Sequence, residues 1–89
     1  MIYEIVELPF TNFDIDYLTS KEWVSNLAKA AGGLDALVEW AKENEPLVQI
    51  KRVKLQRRVK LSNSYDKLSI FIFAWDFEED KTMFMLKYA

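Results

Sequence analysis

The chain has 89 residues, which is enough for one domain over residues 1–89 and too few for two. Apolar residues make up 51% of it and aromatic residues 15%, with two glycines and two prolines, a composition typical of a packed globule and not of a disordered chain. The formal net charge of −2 at pH 7 predicts no binding to nucleic acids or membranes through the overall field.

The residue types also limit the compartment and the chemistry. There is no cysteine, so disulfides and thiolate chemistry are excluded. The first ten residues, MIYEIVELPF, carry Glu4 and Glu7 and lack a basic leader followed by an apolar block, so we predict no signal peptide. No apolar run approaches the ~20 residues that span a bilayer. We therefore expect a cytoplasmic protein that does not bind membranes.

The N-terminal half predicts one strand and two helices. Residues 2 to 8 alternate as a strand that Pro9 ends, and residues 10 to 18 form an irregular, aromatic-rich connection. Thr19 and Glu22 have the spacing of a capping box at a helix start.

The first predicted helix carries an apolar stripe at Trp23, Leu27 and Ala31, and the glycine pair 32–33 ends it. A second helix is predicted from about Leu34 to Glu43, with apolar side chains again at helical spacing. The short connection predicts a helical hairpin or an angled corner.

The C-terminal half predicts three strands. Val48 to Leu61 alternates well only after a phase change near Lys51 and Arg52, which indicates a bulge. In the segment KLSIFIFAWDF, residues 67–77, both the odd-numbered and the even-numbered positions are mostly apolar. As a strand it would therefore be apolar on both faces. After the turn EEDK, a last strand is predicted from Thr82 to Tyr88. The predicted fold is α+β: a four-stranded antiparallel sheet in β-α-α-β-β-β order with a two-helix layer on one face.

The register between the second and third strands decides which side chains face the helices. We favour a register in which residues 62–66 are all loop, so that Leu61 lies opposite Lys67 and Arg52 opposite Asp76. The predicted core then comprises Val6, Trp23, Leu27, Leu37, Val38, Val53, Leu55, Phe71, Phe73, Trp75, Phe84 and Leu86. Two helices, each about 10 Å across, cover one face of a sheet about 19 Å wide and leave the other open.

A second register, with a four-residue loop, brings the basic side chains onto the aromatic rings. Arg58 then lies near Phe71 and Lys54 near Trp75, which forms cation–π pairs. This register separates the rings from Val53, so we favour the first.

An open apolar face with a basic rim is typical of a surface that binds a partner. Six of the twelve basic residues fall within residues 51–60. The predicted partner-binding residues are Arg52, Lys54, Arg58, Lys60, Ile70, Ile72, Met83, Met85 and Lys87. The same face, or an edge strand, would also serve a homodimer. The alternative is that the lysine and arginine stems only shield the aliphatic side chains from water.

Two other classes of function are weaker. The basic strand 51–60 could contact phosphates, but no aromatic-and-glycine RNA-binding motif is present, and the second helix shows acidic side chains where a DNA-recognition helix needs basic or amide ones. No histidine or cysteine is available as a base, nucleophile or metal ligand. Asp14 with Asp16, and the acidic turn at 78–80, are weak candidates for a hard cation. We predict no enzyme, no metal and no cofactor.

We expect a small non-enzymatic protein-binding module, a stoichiometric regulator or inhibitor of the kind that phages and mobile elements often encode, acting in the host cytoplasm if so. The expectation depends on the size of the chain, its aromatic content and its lack of catalytic residue types. The alternative is a nucleic-acid-binding protein that uses the basic strand.

Overall fold

The computed structural model describes residues 1–9, 21–58 and 65–89 of the chain. Their elements, in order, are β1 (Ile2–Pro9), α1 (Glu22–Ala31), a short 3-10 helix (Leu34–Ala36), α2 (Leu37–Asn44), β2 (Val48–Arg58), β3 (Tyr65–Trp75) and α3 (Glu78–Lys87). The strands of these residues form one antiparallel sheet in the order β1-β3-β2, so β3 is central. The class is α+β.

The predicted four-stranded sheet is wrong, because the segment expected to be the fourth strand is the helix α3. Three acidic residues, 78–80, occupy its first turn, where the helix dipole favours negative charge. The rest is rich in methionine, leucine and lysine, which are good helix formers. Phe84 and Tyr88, four residues apart, both enter the core, whereas Leu86, a predicted core residue, is 73% exposed. The alternation of these side chains imitated a strand.

Both predicted helices are present, but the second begins at Leu37, because Leu34–Ala36 forms a 3-10 helix. Gly32 ends α1 in the left-handed conformation, with φ +87°, and the amide of Gly33 donates to the carbonyl of Ala28 at 2.8 Å. The N-cap position of α1 is Lys21, which makes no capping hydrogen bond through its side chain. The predicted cap residue, Thr19, and the connection at residues 10–18 lie outside the described residues.

The predicted bulge in β2 and the residue pairs of both predicted registers are also wrong, although the second register correctly assigned Lys54 to the ring side of the sheet and Val53 to the other side. β2 pairs with β3 without interruption, from Val48 opposite Trp75 to Arg58 opposite Tyr65. Val48 and Ile50 point to the side of the rings, and from Val53 onward the apolar side chains point to the other side. The phase change in the sequence therefore reflects apolar residues on both faces of a regular strand.

The helices cover the aromatic face of β3, as predicted. Phe71, Phe73 and Trp75 are fully buried there. Val53 and Leu55, which were also predicted in this core, lie on the opposite face, because the observed register places them opposite Ile70 and Leu68. The other predicted core residues are buried (Val6, Leu27, Leu37, Phe84) or half-buried against the core (Trp23, Val38), and the core also contains Leu8, Val24, Ala28, Ala41, Val48 and Tyr88.

An aromatic cluster fastens α1 and α3 to the sheet. The ring centroids of Trp23 and Phe73 are 5.0 Å apart, those of Trp75 and Phe84 5.3 Å, and those of Phe84 and Tyr88 4.9 Å. Aromatic pairs at such separations contribute about 0.5–1.5 kcal/mol each beyond the burial of their area. The helical layer is therefore tied to the ring side of β3.

One carboxylate on the helix-covered face joins the edge strand β1 to the helical layer. Glu4 lies opposite Phe73, and its carboxylate accepts a hydrogen bond from Lys21 Nζ at 2.8 Å, with Lys81 Nζ at 3.6 Å. The hydrogen bond from Lys21 lowers the pKa of Glu4 against the opposing effect of burial, and the charge of Lys81 lowers it further. The ionised form of Glu4 is thus the one that stabilises the fold.

We expect Glu4→Gln to reduce the free energy of unfolding at neutral pH and to have less effect in acid. A folded-state pKa below the ordinary 4.5 gives a contribution that is present above pH 4.5 and is lost as the pH falls through the folded-state value. Urea titrations of both proteins from pH 7 to pH 3 should show the difference in unfolding free energy shrinking below about pH 4.5. A difference that stays constant to pH 3 would contradict the assigned role.

Candidate functional site

The face of the sheet turned away from the helices carries a continuous set of apolar side chains. In an antiparallel pair, residues directly opposite each other share a face. The register therefore places together Tyr3, Ile5 and Glu7 of β1, Gln49, Lys51, Val53 and Leu55 of β2, and Leu68, Ile70, Ile72 and Ala74 of β3. We call this set the open face.

The open face is exposed at its edges and aliphatic along its middle. Tyr3 and Ile5 are each 57% exposed and Leu55 is 46% exposed. In the middle row on β3, Leu68, Ile70 and Ile72 are half-buried and Ala74 is buried. No helix or strand of the described residues packs over these side chains. An apolar patch of this kind, rimmed by polar groups, is typical of an interaction site.

Two of the eleven residues named above for the open face are charged, and they lie on opposite edges and have opposite signs. Arg57 and Asp66, which pair with each other, continue the same alternation at the far end of β2 and β3. Glu7 is on β1, opposite Ile70, and Lys51 is on β2, opposite Ile72. Both are exposed, and neither forms an ion pair within the described part of the chain. The rim of this face is therefore mixed in charge and not basic.

The structure brings together only part of the predicted partner-binding set. Ile70 and Ile72 lie side by side on the open face. Arg52 and Lys54 belong to the opposite face of β2, because they pair with Phe71 and Ser69. Arg58 is the last residue of β2, opposite Tyr65 in the backbone register, and Lys60 lies outside the described residues.

The other three predicted residues lie on α3 and so on the helical side of the molecule. Met85 is half-buried against the core, and Met83 is 67% exposed. Lys87 forms an ion pair with Glu45, at 2.6 Å between Nζ and Oε1. They were predicted to share a face with Ile72 because α3 was expected to be a strand.

The guanidinium of Arg52 is bound by other side chains of the same domain. It donates to Ser69 Oγ at 2.9 Å and to Asp35 Oδ1 at 2.6 Å, and it lies 5.1 Å from the ring centroid of Phe71. The hydrogen bond from Arg52 lowers the pKa of Asp35. A cation–π pair was expected only in the second register, between Arg58 and Phe71, and here the cation is Arg52. This side chain fastens the 3-10 helix to the sheet and does not border the open face.

A second exposed apolar surface lies beside α3. Leu47, Met83 and Leu86 line a groove of about 510 Å³, together with Glu45, Asp80, Phe84 and Lys87. The hydroxyl of Tyr88 donates to the Glu45 carboxylate, and burial followed by this bond raises the pKa of Tyr88. Glu45 is thus engaged by both Tyr88 and Lys87, within the domain.

Sequence reasoning missed the flanks of the open face. Tyr3 and Ile5 were assigned to β1 without a role, and Val53 and Leu55 were assigned to the core. The alternation of side chains along β3 did identify Ile70 and Ile72 as residues of the face opposite the rings. Which residues of β1 and β2 join the open face depends on how these strands pair with β3. The alternation within each strand does not determine that register.

Comparisons with models of protein families, with curated proteins and with solved structures find no match for this chain. In the part of the chain that the structure describes, no helix has the length and apolar character needed to cross a membrane. Nor do three or more acidic side chains come together there in an arrangement that would hold a metal ion. Asp14 and Asp16, weak candidates for a cation, lie outside the described residues.

We expect Arg52→Ala to lower the free energy of unfolding by about 2 kcal/mol, because it removes a charged donor from the buried hydroxyl of Ser69 and uncovers the ring of Phe71. Gln49→Ala is the matched control, since Gln49 is exposed on the same strand and points to the other face. Its effect should stay within about 0.5 kcal/mol. Equal effects of the two substitutions in urea denaturation would show that Arg52 is a solvated rim residue after all.

Proposed function

We propose that the protein is a non-enzymatic binding module whose open face docks a protein surface. The observation that carries the proposal is the set of seven larger apolar side chains that the helical layer leaves uncovered: Tyr3, Ile5, Val53, Leu55, Leu68, Ile70 and Ile72. A continuous apolar patch with polar side chains at its edges (Glu7, Gln49 and Lys51) matches the usual anatomy of a protein–protein contact.

The energetics favour a role in binding for these side chains. Fully burying an aliphatic side chain of this size is worth about 1.5–3 kcal/mol relative to leaving it in water. The fold uses none of that gain for the exposed parts of Tyr3, Ile5 and Leu55. A partner that covered the face would recover it.

The other functional classes have less support. The basic strand was the main argument for nucleic acid, and one of its cations, Arg52, is engaged by Asp35 and Ser69 within the domain. The rings of Phe71, Phe73 and Trp75 are fully buried and so are not available to stack on bases. The absence of histidine and cysteine continues to argue against catalysis. A stoichiometric regulator or inhibitor, of the phage or mobile-element kind, fits a binding module of this size. That assignment and the cytoplasmic location stay predictions from the sequence.

The proposal is tested by comparing which proteins are retained from an extract of the native cells, after nuclease treatment, by three tagged forms of the chain. Ile72→Asp places a charge at the centre of the open face and should weaken partner binding at least about 30-fold. Leu86→Asp is the matched control, because Leu86 is 73% exposed on the helical side. It should retain the same partners as the wild type.

Folding of Ile72→Asp is checked by circular dichroism and thermal melting, and Ile5→Asp, at a more exposed position, gives a second variant of the face. Retention of the same proteins by the wild type and by both face variants would contradict the proposal. So would loss of the partners after nuclease treatment, or a wild type that specifically retains no protein, untagged copies of the chain included.

A further inference from the structure

The charges of the open face are arranged so that this face is complementary to itself. Glu7 lies on the β1 edge and Lys51 on the β2 edge, with the apolar side chains between them. A face whose two edges carried the same sign of charge would fit a partner of the opposite charge. A face with one charge of each sign on opposite edges fits a copy of itself turned by half a rotation.

Two ways of stacking two such faces about a two-fold axis can be distinguished. An axis parallel to β3 exchanges the edges, so that β1 of one copy lies over β2 of the other. Glu7 of each copy then approaches Lys51 of its neighbour. An axis across the strands places β1 over β1 and β2 over β2, which brings like charges together. The charges therefore select the axis parallel to the strands.

The register places Glu7 of one copy close enough to Lys51 of the other for their side chains to meet. Glu7 lies opposite Ile70 and Lys51 opposite Ile72, so the two levels are one pair of residues apart along the strands. That offset is about 7 Å. Sheets packed face to face cross at about 30°, and lysine and glutamate side chains are long and flexible enough to meet across such an offset.

We propose that the open face is an isologous homodimer interface, with Ile70 and Ile72 at its centre and two Glu7–Lys51 contacts at its rim. This inference rests on the proposed function and names a second copy of the chain as the partner of that site. Three strands of about eight residues present a face of roughly 27 by 14 Å, which is below the standard size of stable specific interfaces and in the range of weak, transient contacts. We therefore expect a reversible dimer with a dissociation constant in the micromolar range.

Charge exchange tests the geometry. In Glu7→Lys both rim contacts become lysine with lysine, and in Lys51→Glu both become glutamate with glutamate. Each single variant should weaken dimerisation about tenfold, measured by sedimentation equilibrium from about 1 to 300 µM. The double variant restores both contacts and should dimerise within about threefold of the wild type. An equimolar mixture of the two single variants should form the heterodimer in preference to either homodimer.

The matched controls are Glu39→Lys and Lys42→Glu, which make the same charge reversals at exposed positions of α2 on the helical side. They should dimerise like the wild type. Ile5→Asp should be monomeric throughout the range. Each variant is first shown to be folded by circular dichroism.

Failure of this inference can be separated from failure of the proposed function. A wild type that is monomeric up to 300 µM, while Ile72→Asp still loses proteins that the wild type retains, overturns the homodimer and leaves the binding module. A dimer that the single reversals do not weaken overturns the face-to-face geometry and indicates pairing through an edge strand. A monomer that retains no protein overturns both.

Discussion

The packing of the helices on the aromatic side of the central strand is the constraint on which the rest of the molecule depends. Phe71, Phe73 and Trp75 form a row of rings, and α1 and α3 are fastened to that row by ring contacts through Trp23 and Phe84. Ring pairs and the burial of large areas make this side the more favourable one to cover. With the described helices on one side, no element of the described residues covers the aliphatic row of β3.

The strands on either side of β3 also have one face covered by the helices and one face that is not. β2 contributes Val48 and Ile50 to the helical side, then Arg52, whose charge is satisfied by Asp35 and Ser69. Farther along, its apolar side chains, including Val53, face outward. A charged residue on the covered face and apolar residues on the uncovered one reverse the usual pattern of a half-solvated sheet. That reversal is what turns the open face into a candidate binding surface.

Much of the local structure could be predicted from the sequence, and the arrangement of the sheet could not. The glycine pair at 32–33 located the end of α1, because φ +87° at Gly32 is readily available only to glycine. The two apolar parities of β3 indicated that one face would stay uncovered. Residues 82–88 fit both a strand and a helix pattern. The helix is the arrangement in which Phe84 contacts the ring of Trp75 and Tyr88 contacts that of Trp40.

The candidate site could be predicted only in part for the same reason, because the sequence does not determine the register between the strands. Ile70 and Ile72 follow from the alternation of a single strand, whereas Tyr3, Ile5 and Lys51 join them only through pairing with β3. Pairing depends on where a loop ends, and β3 begins at Tyr65, inside the stretch that the sequence assigned to a turn. A shift of register by an odd number of residues exchanges every side chain between the faces. The predicted basic rim is therefore wrong, and the observed rim carries charges of both signs.

The most direct test of this account is the set of nuclear Overhauser contacts made by the methyl groups of Ile70 and Ile72 in solution. They should connect to Ile5 and Val53 across the sheet, while the ring protons of Phe73 connect to Trp23 and Phe84. Contacts from the Ile72 methyls to Trp23 or Leu27 would place the aliphatic row beneath the helices. The open face, and every functional inference drawn from it, would then be wrong.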